Sequence, residues 1–285
     1  RIVRAGRMIT QTGGHGDATG GDRPVPSCGC SLSGDAFSIV ADGADAVRKA
    51  ARHELRAGSD FLKVHVSGGV ASPSDPLESL QYTPAELEAV VTEARHRSTY
   101  VAAHAYTPEA IRMAVEAGVH SIEHANLIDA ETAAALAASD SVMVPTLVVY
   151  AAIHELGGRL GLPRRNLEKN VVVYESGVRS VELAVSSGVT LGLGSDLIGE
   201  SQTMQARELA IRAEVQPAAD VLRSMWLVNA RLCHLEGRIG VVAPGAFGDL
   251  VLSRVNPLED LAAFADTTRS LSHVFLGGRP VAVRD

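Results

Sequence analysis

The residues that could carry chemistry stand near the ends of predicted strands. Five segments have the apolar character of buried strands, FLKVHV, YVAAHA, SIEHA, VMVPTLVVY and TLGLGSD. In chain order, the residues near their ends are Lys63, His104, His124, Thr146 and Asp196. Parallel strands bring their carboxyl ends to one edge of a sheet, so these side chains are expected to converge. Two imidazoles and a carboxylate suit a divalent ion such as zinc.

Lys63 is the residue in this set that most needs an explanation. A lysine at an inward-facing strand position is unfavourable unless its charge is neutralised or used. An ordinary ammonium would also be repelled by a metal ion. If its amine reacts with carbon dioxide, the resulting carbamate offers an anionic oxygen pair that can bridge two metal ions. Three simpler interpretations stay open: Lys63 could pair with a buried carboxylate, each strand histidine could be a packed core residue, and Asp196 could cap a turn.

The elements that would position these residues alternate regularly from residue 42 onward. Helical patterns are DGADAVRKAARHELRAG, TPAELEAVVTEARHR, TPEAIRMAVEAG, DAETAAALAAS, a long helix over roughly 166–187, and helices near 203–214 and 217–230. Alternating strands and helices predict an α/β fold with a parallel sheet, and equal spacing favours a (β/α)8 TIM-type barrel. After residue 235, short strands separated by Gly and Pro predict a small β-sandwich portion. The predicted domains are therefore 1–234 and 235–285.

Composition restricts the partners. The chain has 285 residues and a net charge of −7 without a basic patch, so nucleic acid is not an expected partner. No apolar run reaches the ~18 residues that a membrane helix needs. The three cysteines do not form a disulfide framework, which favours a reducing, cytoplasmic location. Cys28 and Cys30 form a C-x-C pair, which two thiolates alone do not make into a metal site.

Together the motifs resemble a known family. FLKVHVSGG, AHAYTPEAI, SIEHANLID, VPTL and LGSDL are similar to segments of the amidohydrolase superfamily, and the imidazolonepropionase-like metal-dependent hydrolases are the closest branch. That branch includes dipeptidase-like and acyl-amino-acid-cleaving enzymes. AGRMITQTGGHGD and GRIGVVAPGAFGDLVL extend the resemblance from Arg1 to about Val283. The resemblance implies a hydrolase that cleaves an amide bond in a dipeptide-like or N-acyl amino acid substrate through a metal-bound hydroxide.

The resemblance also implies roles for individual residues. Lys63 would be the carboxylated ligand that bridges one or two zinc ions. His104 and His124 would bind one ion. Asp196 would bind the other ion and move a proton to the leaving amine. Tyr106, two residues after His104, could donate a hydrogen bond to an oxyanion or a substrate carboxylate.

Further substrate contacts are expected from residues around these motifs. His15, flanked by glycines at the end of the predicted third barrel strand, could approach a substrate closely. His65 stands two residues after Lys63, on the same face of the strand, and could be a ligand, a substrate contact or a packed residue. Gln202 lies in the loop after Asp196, where many relatives have a histidine. Glu123 and Asn126 flank His124 and could orient it.

One family feature is absent from the sequence. No H-x-H pair occurs in it, whereas the family carries one on the first barrel strand. Counting strands back from Asp196 makes RIVRAG the third, so the first two barrel strands are expected to be missing. An open barrel would expose strand edges, which favours a homo-oligomer or completion by further polypeptide. Two other functions stay open, an inactive or incomplete barrel and an aldolase that uses Lys63 as a Schiff base.

Overall fold

Six short parallel strands form the main sheet of the protein. The computed structural model describes residues 1–17, 37–72 and 75–283. The strands are β1 (Met8–Thr10), β2 (Ser38–Val40), β3 (Leu62–His65), β4 (Val101–Ala105), β5 (Ser121–His124) and β6 (Val142–Val144). Their order in the sheet is β2-β1-β3-β4-β5-β6. The fold is therefore α/β with a parallel sheet, as the alternation predicted.

Helices connect and cover the strands. They are α1 (Ala44–Arg56), α2 (Pro84–His96), α3 (Pro108–Ala117), α4 (Ala130–Ala137), α5 (Leu147–Leu156), α6 (Arg164–Ser187), α7 (Arg207–Arg212), α8 (Ala218–Arg223) and α9 (Asn229–Leu232). A 3₁₀ helix (Gly199–Met204) precedes α7, and a π-helical turn (Ser224–Val228) joins α8 to α9. No helix in the described ranges is long and apolar enough to cross a membrane.

A Thr-Pro pair starts two of these helices, in the segments Thr-Pro-Ala-Glu (residues 83–86) and Thr-Pro-Glu-Ala (residues 107–110). The backbone N–H of Thr83 donates to the Glu86 carboxylate at 2.7 Å, and Thr107 accepts from the N–H of Ala110 at 3.4 Å. Pro follows each threonine, where its fixed φ suits the first helical position. Gly118 ends α3 in the left-handed conformation that glycine adopts without steric cost.

The predicted barrel, with its first two strands expected to be missing, is shown only in part, and several of its strands differ from the prediction. In the described residues the six-stranded sheet is open, and no closed barrel is seen. The first strand is Met8–Thr10 rather than RIVRAG, and the strand Ser38–Val40 was not predicted. TLGLGSD contributes only one parallel bridge, between Leu191 and Met143, in a stretch where Gly192 and Gly194 provide no side chains to pack.

The segment VMVPTLVVY was wrongly predicted as one strand. Its strand ends at Val144, and helix α5 begins at Leu147. Pro145 cannot donate to a strand ladder, which ends the pairing. The apolar residues that follow suit a buried helix as well as a buried strand, so composition could not distinguish them.

A single row of apolar residues crosses the sheet in register. The pairings align Ile9, Val64, Ala103, Ile122 and Met143, all of which are fully buried in the main hydrophobic core with the helices. Successive strand residues point to opposite faces, so the residues on either side of this row face away from the helices. The opposite face therefore receives two of the predicted site residues from β3 and one from β4.

A second sheet follows near the carboxyl end. It is antiparallel, with the order β7-β8-β9, and its strands are β7 (Leu250–Ser253), β8 (Leu271–Leu276) and β9 (Arg279–Val283). Two short helices, α10 (Leu261–Ala265) and α11 (Thr267–Ser270), lie between β7 and β8. These strands confirm the short strands predicted after residue 235. The described residues form one three-stranded sheet there, so the β-sandwich stays a prediction. The division into domains at residues 234 and 235 stays a prediction.

The apolar row leads to a prediction about stability. Ile122 lies on β5 near the centre of the row and is 0% exposed, so Ile122→Ala should lower the free energy of unfolding by about 2–5 kcal/mol and Ile122→Val by about 0.5–1.5 kcal/mol. Val251 is 49% exposed, so Val251→Ala should change it by less than about 0.5 kcal/mol. Denaturant titration measures all three. Equal losses for Ile122→Ala and Val251→Ala would show that the row does not stabilise the sheet.

Candidate active site

Three of the strand-end residues have a strained backbone. His124, Thr146 and Asp196 have φ values of 78°, 50° and 51°. Residues other than glycine seldom adopt positive φ, and such residues cluster at functional sites. Alternation along β5 would direct His124 toward the helices, because Ile122 points that way. The left-handed turn at His124 instead brings its ring to the opposite face, beside His104.

Four histidines and a tyrosine meet at this edge of the sheet. The rings of His104 and His124 lie 4.6 Å apart between centroids, and His15 stacks on His104 at 4.4 Å. His65 packs edge-on against His15 at 4.9 Å and against His104 at 5.6 Å. Tyr106 lies 4.6 Å from His104. The structure thus brings together most of the predicted site residues from four separate stretches of chain.

Hydrogen bonds orient several of these rings. His124 Nδ1 lies 2.7 Å from Thr146 Oγ1, which fixes the ring through a hydroxyl rather than through the predicted Glu123 or Asn126. His104 Nε2 is 3.1 Å from the carbonyl of Gly68, so it donates there. In contrast, His65 Nδ1 is buried and has no hydrogen-bond partner among the described residues. An orphaned buried nitrogen beside the cluster suits an additional ligand or substrate contact.

Desolvation dominates the electrostatics of the site. It is the main cause that lowers the pKa of His104 and His124 well below the usual value, so both rings are neutral and available as ligands or acceptors at pH 7. It lowers the pKa of His15 to about 4 in the same way, helped by the charges of Lys169 and Lys63.

Lys63 and Asp196 complete the cluster as an unusual pair. Burial lowers the pKa of Lys63, although the charges of Glu123 and Asp196 oppose this shift. Glu123 and Asp196 are the carboxylates that act on the Lys63 charge, so the predicted alternative, in which Lys63 pairs with a buried carboxylate, stays open. Asp196 retains an exposed surface, yet the surrounding groups desolvate its carboxylate and raise its pKa to about 6 against the charge of Lys63. The neutral amine that a lowered pKa favours is the form that reacts with carbon dioxide or with a carbonyl group.

Two predicted residues lie apart from the cluster. Gln202 is exposed in the 3₁₀ helix after Asp196 and makes no side-chain contact with the histidines. Asn126 donates to the carbonyl of Val173 on α6 at 2.9 Å and supports that helix. Cys28 and Cys30 lie outside the described residues.

Sequence reasoning missed a second tyrosine. Tyr150 is buried in the first turn of α5, and its hydroxyl lies 2.9 Å from the hydroxyl of Tyr106. Its ring is 6.0 Å from that of His124. The segment VMVPTLVVY was treated as one strand, which concealed that Tyr150 stands one helical turn after Thr146. Helical spacing after Pro145 was the signal that could have found it.

The fit of a metal ion to these residues is partial. The donor types are suitable, since two neutral imidazoles, a carboxylate and a lysine that favours its neutral form converge here. However, among the described residues no three or more His, Cys, Asp and Glu side chains form a group that could hold a metal ion. A carboxylated lysine is not among these four residue types, and it would add the anionic oxygens that this set lacks.

Polar side chains that meet at the carboxyl ends of parallel strands are the usual position of an active site in this type of α/β fold. Residues 4–281 match the amidohydrolase family, and the chain belongs to that family.

Relatives with known names and structures support this assignment. Ochratoxinase of Aspergillus niger is 28% identical over 293 residues, which cover 98% of this chain and 59% of the relative. A crystal structure of a prolidase in complex with N-methylphosphonate-L-proline is 40% identical, with a TM-score of 0.94, and the match covers 100% of this chain and 70% of that one. A Xaa-Pro dipeptidase with bound methionine is 26% identical, with a TM-score of 0.85, over 97% of this chain and 66% of that chain. The chain therefore spans about three fifths of the length of the ochratoxinase that it matches.

A buried glutamate holds the start of α5, where Thr146 and Tyr150 stand. Glu208 on α7 is 0% exposed and accepts a hydrogen bond from the N–H of Val148 at 2.7 Å. An acceptor at this position satisfies an N–H that the helix itself leaves unpaired. Burial raises the pKa of Glu208 to about 7, although the charge of Arg212 and the helix N–H groups oppose the shift.

This raised pKa predicts a pH-dependent stability. The folded state holds the Glu208 proton more tightly than the unfolded state, whose pKa stays near 4.5. The contribution of Glu208 to stability is therefore present below pH 4.5 and is lost as the pH rises toward 7. The free energy of unfolding of Glu208→Gln, taken relative to that of the wild type, should therefore rise by about 1–3 kcal/mol between pH 4.5 and pH 7.5. Urea titrations at several pH values measure this gain, and the exposed Glu214→Gln is the control. A difference between Glu208→Gln and wild type that does not vary with pH would contradict the assignment.

Proposed function

We propose that the protein is a metal-dependent amidohydrolase that cleaves the amide bond of a dipeptide-like or N-acyl amino acid substrate. The observation that carries this proposal is the convergence of Lys63, His104, His124 and Asp196 at one edge of the sheet, with three left-handed residues among the strand ends. The family assignment supports hydrolytic chemistry. The names of the prolidase and ochratoxinase relatives support a small substrate.

In this proposal, Lys63, His104, His124 and Asp196 hold one or two divalent ions, with zinc as the first candidate. Lys63 takes part as its carbamate, and its lowered pKa favours the amine that forms it. When bound, such an ion lowers the pKa of a water molecule and polarises the substrate carbonyl.

The chain's own residues would move the proton and hold the substrate. Asp196, with its pKa raised to about 6, would accept a proton from water and pass it to the leaving amine. Tyr106 would donate a hydrogen bond to the substrate, as its hydroxyl is buried next to the histidine cluster. His15 and His65, whose rings pack against His104, would line the substrate site. Gln202 would contribute only if its loop closes over the substrate.

A Schiff-base aldolase is the second candidate, because a buried lysine with a lowered pKa also suits carbonyl condensation. Two assays distinguish the two functions. Borohydride together with a carbonyl substrate would trap a covalent adduct on Lys63 in an aldolase. A hydrolase would instead release an amine from Xaa-Pro dipeptides or N-acyl amino acids in the presence of zinc and bicarbonate.

The metal proposal predicts a specific response to change at Lys63. Protein supplemented with zinc and bicarbonate should bind at least one equivalent of metal per chain, while Lys63→Ala should lose both metal and hydrolysis. A short carboxylic acid should partly restore both in Lys63→Ala, because its carboxylate replaces the carbamate. Inductively coupled plasma mass spectrometry and an amine-release assay measure the two properties.

Lys63→Arg is the matched test, since a guanidinium keeps the charge but cannot form the carbamate. Full activity in Lys63→Arg would rule out the carbamate. Less than ~0.2 equivalents of metal in the supplemented wild type, against the full occupancy typical of zinc sites, would rule out the metal site as proposed.

We also propose that the open sheet is completed in the working protein, by further polypeptide or by a second copy of the chain. In the described residues, the outer edge of β2 has no strand partner, and Val40 on it is 42% exposed. Such an edge invites pairing with another strand. Size-exclusion chromatography with light scattering should therefore give a mass above the 29.8 kDa of this chain. A stable, active monomer of 29.8 kDa would contradict the proposal.

A further inference from the structure

Lys169 lies in a cage of backbone carbonyls next to the candidate active site. It stands on the inner face of α6 and is 8% exposed. Its ammonium donates to the carbonyls of Gly69 and Ser72, each at 2.8 Å, and to that of Asp75. The Asp75 carboxylate lies 3.6 Å away and balances the charge. Three carbonyls match the three N–H donors of an ammonium, so the cage leaves no donor unused.

The chemistry of this cage selects lysine. The sequence contains 26 Lys and Arg residues, of which only Lys49, Lys63 and Lys169 are lysines. Arginine is the usual cation of this chain, yet its planar guanidinium cannot direct three donors from one point. A compact ammonium can. Lysine at position 169 is therefore explained by the carbonyl geometry and not by a general need for positive charge.

The cage is connected to His15 by short polar contacts. The hydroxyl of Ser72 lies 3.0 Å from His15 Nδ1 and also bonds to Asp75. Gln81 donates to Asp75 at 3.1 Å and accepts from the backbone N–H of His15 at 3.0 Å.

Gly69 adds a steric link between the cage and His15. A Cβ at Gly69 would lie 2.0 Å from the His15 ring, so that ring rests directly on the backbone that Lys169 holds. A shift of this backbone would move His15 with respect to His104, on which it stacks.

We propose that Lys169 is a positioning residue of the active site: its ammonium fills the carbonyl cage and thereby holds His15 in place on His104. This inference rests on the proposed function for the part that concerns hydrolysis. The cage and its effect on His15 stand on the contacts alone. Neighbouring residues on α6 act in the same direction, since Asn166 donates to the carbonyls of Val70 and Ala71 at 2.7 and 2.8 Å.

Chemical rescue tests the cage directly. Lys169→Ala should lower kcat/KM for amide hydrolysis by about 100-fold, the scale of a misplacement of about 1 Å at an active site. Ethylammonium should restore at least about a tenth of the lost kcat/KM, because it can occupy the empty cage. Propionate should not restore it. Lys63→Ala should show the opposite preference, rescue by the acid and not by the amine. Lys49→Ala, on the exposed face of α1, should match the wild type.

A second measurement does not need activity. Hydrogen exchange of peptides that cover residues 62–72 and 75–82 should be faster in Lys169→Ala and should slow again with ethylammonium, while Lys49→Ala exchanges like the wild type. Wild-type exchange in Lys169→Ala, or faster exchange that ethylammonium does not reverse, would overturn the inference. An inactive wild type with reversible exchange in Lys169→Ala would overturn the proposed hydrolysis and leave the cage intact.

A second substitution tests the same inference if Lys169→Ala fails to fold. Lys169→Gln keeps two N–H donors but lacks the charge and the third donor. It should show intermediate exchange and an intermediate kcat/KM, with wild-type affinity for metal because Lys169 contacts none of the proposed ligands. Exchange and kcat/KM equal to those of the wild type in Lys169→Gln would overturn the role of the cage.

Discussion

The register of the parallel sheet is the constraint on which the site depends. The buried row from Ile9 to Met143 fixes which residue of each strand faces the helices. Because strand side chains alternate, a slip of one residue in β3 would turn Val64 to the site and Lys63 to the helices. The burial of apolar side chains thus determines the placement of polar ones. No polar contact between the site residues themselves is needed to bring Lys63 and His104 to the same face.

Register alone does not complete the site, because His124 is the last residue of β5 and Asp196 lies outside the strands of the sheet. His124 and Asp196 reach the cluster through left-handed backbone turns, each of which costs about 1–3 kcal/mol. Contacts support this arrangement at His124. Thr146, itself left-handed, holds the His124 ring through its hydroxyl, and Glu208 holds the start of the helix that follows Thr146. His124 is therefore supported by the residue that precedes α5 and, through α5, by α7, far along the sequence.

Local signals predicted much of the fold and part of the site. The Thr-Pro starts of α2 and α3 and their basic or glycine ends are encoded within a few residues, and the structure confirms both helices. The strand at Ser38–Val40 has three residues, too few for a periodic pattern, and it is defined by pairing with β1. The barrel type was an extrapolation from spacing, which cannot show which segments pair as strands. Tyr150 was missed because its segment was interpreted as one strand. Lys169 was missed because its role arises from contacts with residues 94–100 positions away.

The two buried lysines show why burial alone does not define a functional residue. Burial lowers the pKa of both Lys63 and Lys169. Lys169 recovers the lost hydration from three carbonyls and a carboxylate, so its ammonium is satisfied where it lies and acts through the backbone that it holds. Lys63 has no comparable set of acceptors in the described structure, although Glu123 and Asp196 favour its charge from a distance. A buried amine without direct partners gains more from losing its proton than a caged one does, and only a neutral amine can become a carbamate. The contrast in partners, rather than the burial that the two residues share, distinguishes the lysine that is suited to chemistry from the lysine that is suited to structure.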